Sequence, residues 1–242
     1  MLHKDIQLSP LLLAVLIALL LIILLSVKKR KLTVEGGITA ILLGLLVMAG
    51  SGYTGVLLLL SFFAGGIGVT AHRKKKKEAI HAGAPHAQQR NALQVLANGG
   101  VAGVCALLAI VDTARLPLYS SMLAGSLAAA TADTVSSELG TVYGKRFYNI
   151  LTLKKDSRGL DGVISFEGTI AGIAGALVIA ILYGLMSGFG SAVPVILVAG
   201  IAGNLVDSWL GASFERRGLL NNDGVNACNT AAGAVMAFLL LW

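Results

Sequence analysis

Apolar residues in this chain come in long unbroken runs separated by short polar segments, without the alternating faces of a soluble fold. The first run, 8–27, is almost entirely Leu, Ile, Val and Ala. Seven more follow at about 36–51, 54–71, 91–111, 117–138, 168–187, 191–213 and 225–242, with 36–51 the shortest. Each is near the ~20 residues that an α-helix needs to span a bilayer. The pattern predicts an all-α polytopic transmembrane helical bundle of about eight helices. The run 8–27 is too long for a signal-peptide core, its positive cluster follows it, and no small-residue cleavage site is evident, so it reads as a retained first helix. The chain is expected to be a single integral membrane domain, 1–242.

Composition agrees, with 56% hydrophobic residues, 13% charged residues and a mean hydropathy of +0.81. The net charge of +7 would suit a nucleic-acid partner, but the placement of the basic residues argues otherwise. Seventeen of the 19 Lys and Arg fall between runs on one side, including Lys28 to Lys31, Arg73 to Lys77 with Arg90, Lys145 to Arg158, and Arg216 with Arg217. Only Lys4 and Arg115 fall on the other side. The positive-inside rule places the seventeen at the cytoplasmic face and both termini outside. The expected location is the plasma (inner) membrane, with no nucleic-acid partner. Cys105 and Cys228 lie inside apolar runs as small hydrophobes, and His72, His81 and His86 have no zinc-site spacing.

Against this topology the acidic residues sort by depth. Asp133 and Glu138 in "ATADTVSSELG" and Asp207 in "GNLVDSWLGA" fall near the inner ends of two helices running inward. Glu35 in "LTVEGGI", Glu167 in "ISFEGTI" and Asp223 in "NNDGVN" open three helices running outward. Six of the 12 Asp and Glu thus share one layer. Glu35 and Glu167 follow Thr33 and Ser165 by two residues, as first-turn acids behind a hydroxyl N-cap do. Asp133 and Asp207 cannot be caps, and a carboxylate within a membrane helix requires a polar cavity, a partner or an ion. Ser137 shares a helix face with Asp133, and Asn204 with Asp207, while Asn222 and Asn226 flank Asp223. Such oxygens suit a hard cation, and Mg²⁺ takes one or two carboxylates plus substrate phosphates. The expected metal ligands are Asp133, Asp207 and Asp223. An anion site is expected in "GKRFYNILTLKKDSRGLDGVISFEGT", where Lys145, Lys154 and Arg158 precede Ser165 and Gly168 at a helix N-terminus.

Five ordered motifs, "QVLANGG", "ATADTVSSELG", "SFEGTIAG", "GNLVDSWLGA" and "NNDGVN", resemble those of the integral membrane family called domain of unknown function ninety-two. The resemblance covers most of the chain after the first helix. It implies a kinase that converts an isoprenyl monophosphate, such as phytyl or geranylgeranyl phosphate, to the diphosphate with Mg²⁺ and a nucleoside triphosphate, CTP. It is also similar, more distantly, to dolichol kinase and the CDP-lipid synthases. By motif it implies roles for Asn98, Asp133, Glu138, Glu167, Asp207, Asn222, Asp223 and Asn226. The family's basic stretch carries "TTLK" and a Pro-Gly-rich segment, whereas "LTLKKDSRGLDG" keeps Leu153 and Lys154 and lacks the proline.

The combined expectation divides the chain at 90. Helices 1 to 3 and a basic loop precede a catalytic core, 91–242, with catalytic residues Asp133, Glu138, Glu167, Asp207 and Asp223. Substrate-binding residues are Arg90, Asn98, Ser137, Lys145, Lys154, Arg158, Ser165, Gly168, Asn204, Asn222 and Asn226. A cytidylyltransferase making a CDP-activated lipid, or a transporter, would also place carboxylates inside helices. Transporter sites, however, usually sit near the midplane.

Overall fold

The structure, a computed structural model, describes residues 10–73 and 89–242. Lys4, Lys74 to Lys77, His81 and His86 lie outside the described residues. Seven α-helical stretches are present among those described: α1 (Pro10–Lys28), α2 (Val34–Ala71), α3 (Ala92–Val111), α4 (Leu116–Tyr143), α5 (Phe166–Ser187), α6 (Ala192–Leu210) and α7 (Asn222–Leu241). A 3-10 turn, Thr113–Arg115, joins α3 to α4, and a π-helical turn, Gly211–Glu215, extends α6. The strands β1 (Tyr148–Asn149) and β2 (Val163–Ile164) pair antiparallel in the loop between α4 and α5. The protein is thus an all-α membrane protein. Five stretches are long and apolar enough to cross a bilayer: α2, α3, α5, α6 with its π turn, and α7.

The runs 36–51 and 54–71, expected as separate helices, form one stretch, α2, which is broken between them at Gly52. A straight 38-residue helix would extend ~57 Å, far beyond a hydrocarbon core of ~30 Å. The chain instead folds back at Gly52, whose φ of 60° and ψ of −151° are not helical. A Cβ on Gly99 would meet both Leu43 Cδ2 at 2.5 Å and Leu59 Cδ1 at 3.9 Å. These leucines are sixteen positions apart and would be ~24 Å apart on a straight helix. The two arms of α2 therefore run antiparallel.

Contacts at the helix ends fix the alternation of direction. Ser51 and Ser120 hydroxyls approach to 3.3 Å, and the Arg115 guanidinium lies 4.7 Å from the Trp242 ring centroid at one end of the bundle. At the other end, Leu32 bridges Arg90, and His72 Nε2 lies 2.7 Å from the Tyr143 hydroxyl. The starts of α2, α3, α5 and α7 and the ends of α1, α4 and α6 share this second end.

α4 is the central helix, contacting α2, α3, α5, α6 and α7. Every residue from Leu123 to Ala132 is buried, and most are Ala, Gly or Ser. Small side chains let neighbouring backbones approach closely, which is how helices associate where lipid removes the hydrophobic drive between them. At one close crossing, a Cβ on Gly233 of α7 would stand 2.5 Å from the Gly125 carbonyl oxygen. This tight axle holds the polar ends of α4, α6 and α7 in fixed register.

Candidate functional site

Asp133 of α4 and Asp207 of α6 meet side chain to side chain in the C-terminal halves of their helices. Glu138, farther along α4, adds its charge to Asp133, and Glu215 in the π turn adds its charge to both aspartates. Like charges so placed repel unless a cation or proton intervenes. Asp207 Oδ2 is buried with no hydrogen-bond partner. Next to it on α7, Asn229 is fully buried and leaves both amide oxygen and nitrogen unpartnered. Each orphaned buried polar group costs about 1–3 kcal/mol, which a bound ion or substrate atom would recover.

Two facing carboxylates beside an open amide oxygen fit Mg²⁺, whose other positions go to water and phosphate. The expected triad with Asp223 does not form: among the described residues, no group of three or more His, Cys, Asp or Glu is placed to hold a metal ion. Asp223 instead occupies the first turn of α7 behind the Asn221 cap, whose side chain accepts from the Gly224 N–H. A negative charge is favoured there by the helix dipole alone. Asn222 begins the same turn, and Asn226, one turn on, offers its carbonyl to the Thr230 hydroxyl at 3.1 Å.

Around the aspartate pair, Ser136 Oγ donates to Asn204 Oδ1 at 3.1 Å, tying α4 to α6. Ser137 is exposed and bonds its own helix at the Thr134 carbonyl, so Ser136, not Ser137, links α4 to α6. Glu138 also acts electrostatically on Arg90, whose pKa burial lowers and the nearby carboxylate raises. Asn98 on α3 donates to the Gln94 carbonyl at 2.9 Å.

The basic loop is an ordered platform over the end of α6. Glu167 Oε2 accepts the Lys145 N–H at 3.3 Å, and Ser165 caps α5 by accepting from the Gly168 N–H at 3.1 Å. Gly168 packs on Gly140, where a Cβ would stand 3.1 Å from the facing Cα. Asn149 Oδ1 accepts from Leu151 and Thr152 N–H groups, a side-chain turn that leads into the exposed Lys154. From the α6–α7 connection, Arg216 donates to Asp156 Oδ2 at 2.8 Å and to the Asp161 carbonyl at 2.6 Å. That guanidinium holds the Asp156 carboxyl below the usual carboxylate range, helped by the Ser157 N–H. Gly162, with φ +67°, presses onto the π turn, and a Cβ there would meet Ser208 O at 2.5 Å as well as the Ala212 backbone nitrogen. Arg158 Nε and Nη2 are buried without partners, and its guanidinium carbon stands 5.5 Å from the Phe147 ring centroid. Buried, positively charged donors with no acceptor suit an anion. The platform thus brings a candidate phosphate ligand to the helix end that carries Asp207.

The sequence pattern does not single out Asn229 or Glu215, and marks Arg216 only as one of the basic residues between helices. The first continues the spacing of Asn222 and Asn226 along α7. The other two depend on a π turn and a cross-loop contact that no local pattern announces.

Residues 17–234 match the family described as Integral membrane protein DUF92. Among similar proteins, an uncharacterized membrane protein of Methanocaldococcus jannaschii is 38% identical over 216 residues, covering 88% of this chain and 87% of its own. Another, from Synechocystis sp., is 35% identical and covers 86% of this chain and 82% of its own. The chloroplastic protein VTE6 of Arabidopsis thaliana is 33% identical over 86% of this chain and 65% of the plant protein. No solved structure matches. With nearly its whole length matched, from the middle of α1 into α7, the chain belongs to the DUF92 family of integral membrane proteins.

Proposed function

We propose that the protein is a membrane kinase that transfers the terminal phosphate of CTP, with Mg²⁺, to an isoprenyl monophosphate such as phytyl or geranylgeranyl phosphate. The observation that carries this reading is the pairing of unsatisfied groups of opposite character at one end of the bundle. Asp207 Oδ2 and Asn229 Oδ1 lack a cationic partner, and Arg158 Nε and Nη2 lack an anionic one. A nucleoside triphosphate bound with its metal supplies both. The family resemblance supports the choice of CTP and an isoprenyl phosphate.

In this reading Arg158, Lys145 and Lys154 hold the donor phosphates, and the Asp133–Asp207 pair faces the reacting end. Bound Mg²⁺ would supply charge neutralisation on the β- and γ-phosphates. An oxygen of the lipid monophosphate attacks the γ-phosphorus, the bond from that phosphorus to the β–γ bridging oxygen breaks, and CDP leaves. The acceptor is anionic at neutral pH and needs little help from a general base, so the protein's task is positioning and electrostatic compensation. The basic residues at the Asp133–Asp207 end support a cytoplasm-facing site in the inner membrane.

The test is label transfer by purified protein incubated with geranylgeranyl phosphate and CTP labelled at either the α- or the γ-phosphorus. Label from the γ position in the lipid, with CDP released, is the expected result. Lipid label from the α position, with pyrophosphate released, would assign a cytidylyltransferase instead, and no lipid label from either would overturn both.

A further inference from the structure

A narrow groove runs between α1, the two arms of α2, and α3. Its walls are apolar, including Leu19 and Ile23 from α1, Leu43 and Leu60 from α2, and Val95 from α3. The polar groups lining it are confined to Arg90, Gln94 and Asn98, which follow one another at the start of α3. The groove is therefore an apolar slot with one cationic edge.

The edge is built to hold Arg90. The Arg90 backbone pairs with the strand-like entry to α2, donating its N–H to Lys31 O and accepting from Thr33 N–H, both at 3.0 Å. Gly66 clears space for the side chain: a Cβ there would lie 3.1 Å from Arg90 Nη2. Across the edge stands Glu138, whose charge reaches both Arg90 and Asp133. Glu138 thus couples the guanidinium at the groove's edge electrostatically to Asp133. The outer wall, α1, packs chiefly against α2, seated on Gly37 and Gly44, and carries exposed Leu20, Leu21 and Leu24 on its other side.

We infer that this groove holds the isoprenyl chain of the acceptor, with its phosphate held at Arg90 on the side facing Asp133. The inference rests on the kinase reading above and adds to it the substrate's position. It makes α1 and α2, outside the core 91–242, part of the substrate site. Charge complementarity selects the occupant: the half-buried guanidinium at the cationic edge attracts an anionic headgroup, and a lipid monophosphate supplies that headgroup and the apolar chain together.

Binding alone tests this, without turnover. The full-length protein in lipid nanodiscs is photolabelled with a geranylgeranyl monophosphate carrying a diazirine on its chain, and the labelled residues are mapped by mass spectrometry. Labels on α1, α2 or α3 residues lining the groove are expected. Arg90→Ala should weaken competition by unmodified geranylgeranyl phosphate about tenfold, as loss of a charge-assisted phosphate contact does, and leave competition by geranylgeraniol unchanged. Ala40→Phe, which fills the slot from the half-buried Ala40 position, should weaken both. Labels confined to α5, α6 or α7 would overturn the inference on the unmodified protein, as would equal competition before and after Arg90→Ala. Groove labelling without γ-phosphate transfer would retain the site and overturn only the kinase reading.

Discussion

Replacing Gly162 with Ala tests whether the basic loop must rest on the end of α6. Gly162 has φ +67°, where an L-residue costs about 1–2 kcal/mol. Its Cβ would also strike two backbone positions, Ser208 O at 2.5 Å and the Ala212 nitrogen, neither of which can rotate aside. Overpacking of this kind costs about 1–3 kcal/mol. Gly218, with φ +69° and nothing within 4 Å of its Cβ position, carries the first cost without the second. The difference between Gly162→Ala and Gly218→Ala should therefore be the contact term alone. Released by lifting the loop, it should appear as roughly 5–150-fold weaker nucleotide binding, since 1.4 kcal/mol is tenfold. CTP titration of both variants in nanodiscs, with thermal melting to confirm folding, measures it. Equal CTP affinities for the two folded variants would refute the reasoning, because Arg158 would then act without the platform.

Asp133→Asn and Asp207→Asn should each abolish phosphate transfer while the protein remains folded and inserted, and near-normal turnover by either would remove that residue from the metal site. Asn229→Leu should raise the melting temperature in the absence of substrate by removing two orphaned polar atoms, yet lower activity, and an unchanged rate would mark Asn229 as a packing residue. Arg158→Ala should weaken CTP binding at least tenfold, on the order of 1.4 kcal/mol, with Arg158→Lys intermediate in the same titration. Asp156, held low by Arg216, favours the docked loop above the unfolded carboxyl value near ~3.9, and this contribution is lost as pH falls through its lowered folded value. The stability gap between wild type and Asp156→Asn, read by melting across pH, should accordingly be present at neutral pH and close only below about pH 4.

The runs of Leu, Ile, Val and Ala sufficed to indicate helices and a membrane, because in hydrocarbon a chain must satisfy its backbone polar groups within each span. Acidic residues in such runs were legible as functional candidates for the same reason: without compensation their cost is too high for chance. Thr33 and Ser165 were readable as caps because capping is local, and both side chains do accept the third N–H of their helices. Other features depend on distance in space. The break at Gly52 was legible as the gap between the runs 36–51 and 54–71, but that the two arms fold back on each other shows only in contacts between residues sixteen apart. Asp223 shares a layer with Asp133 and Asp207 but not their meeting point, since depth fixes position along the membrane normal while packing against α4 fixes which face looks inward. Asn229, Ser136 and the Arg216 clasp on the basic loop emerge only once small residues on α4 have drawn α5, α6 and α7 together. Sequence therefore determined the solvent, the layer and the chemical types, and tertiary packing decided which members of that layer meet.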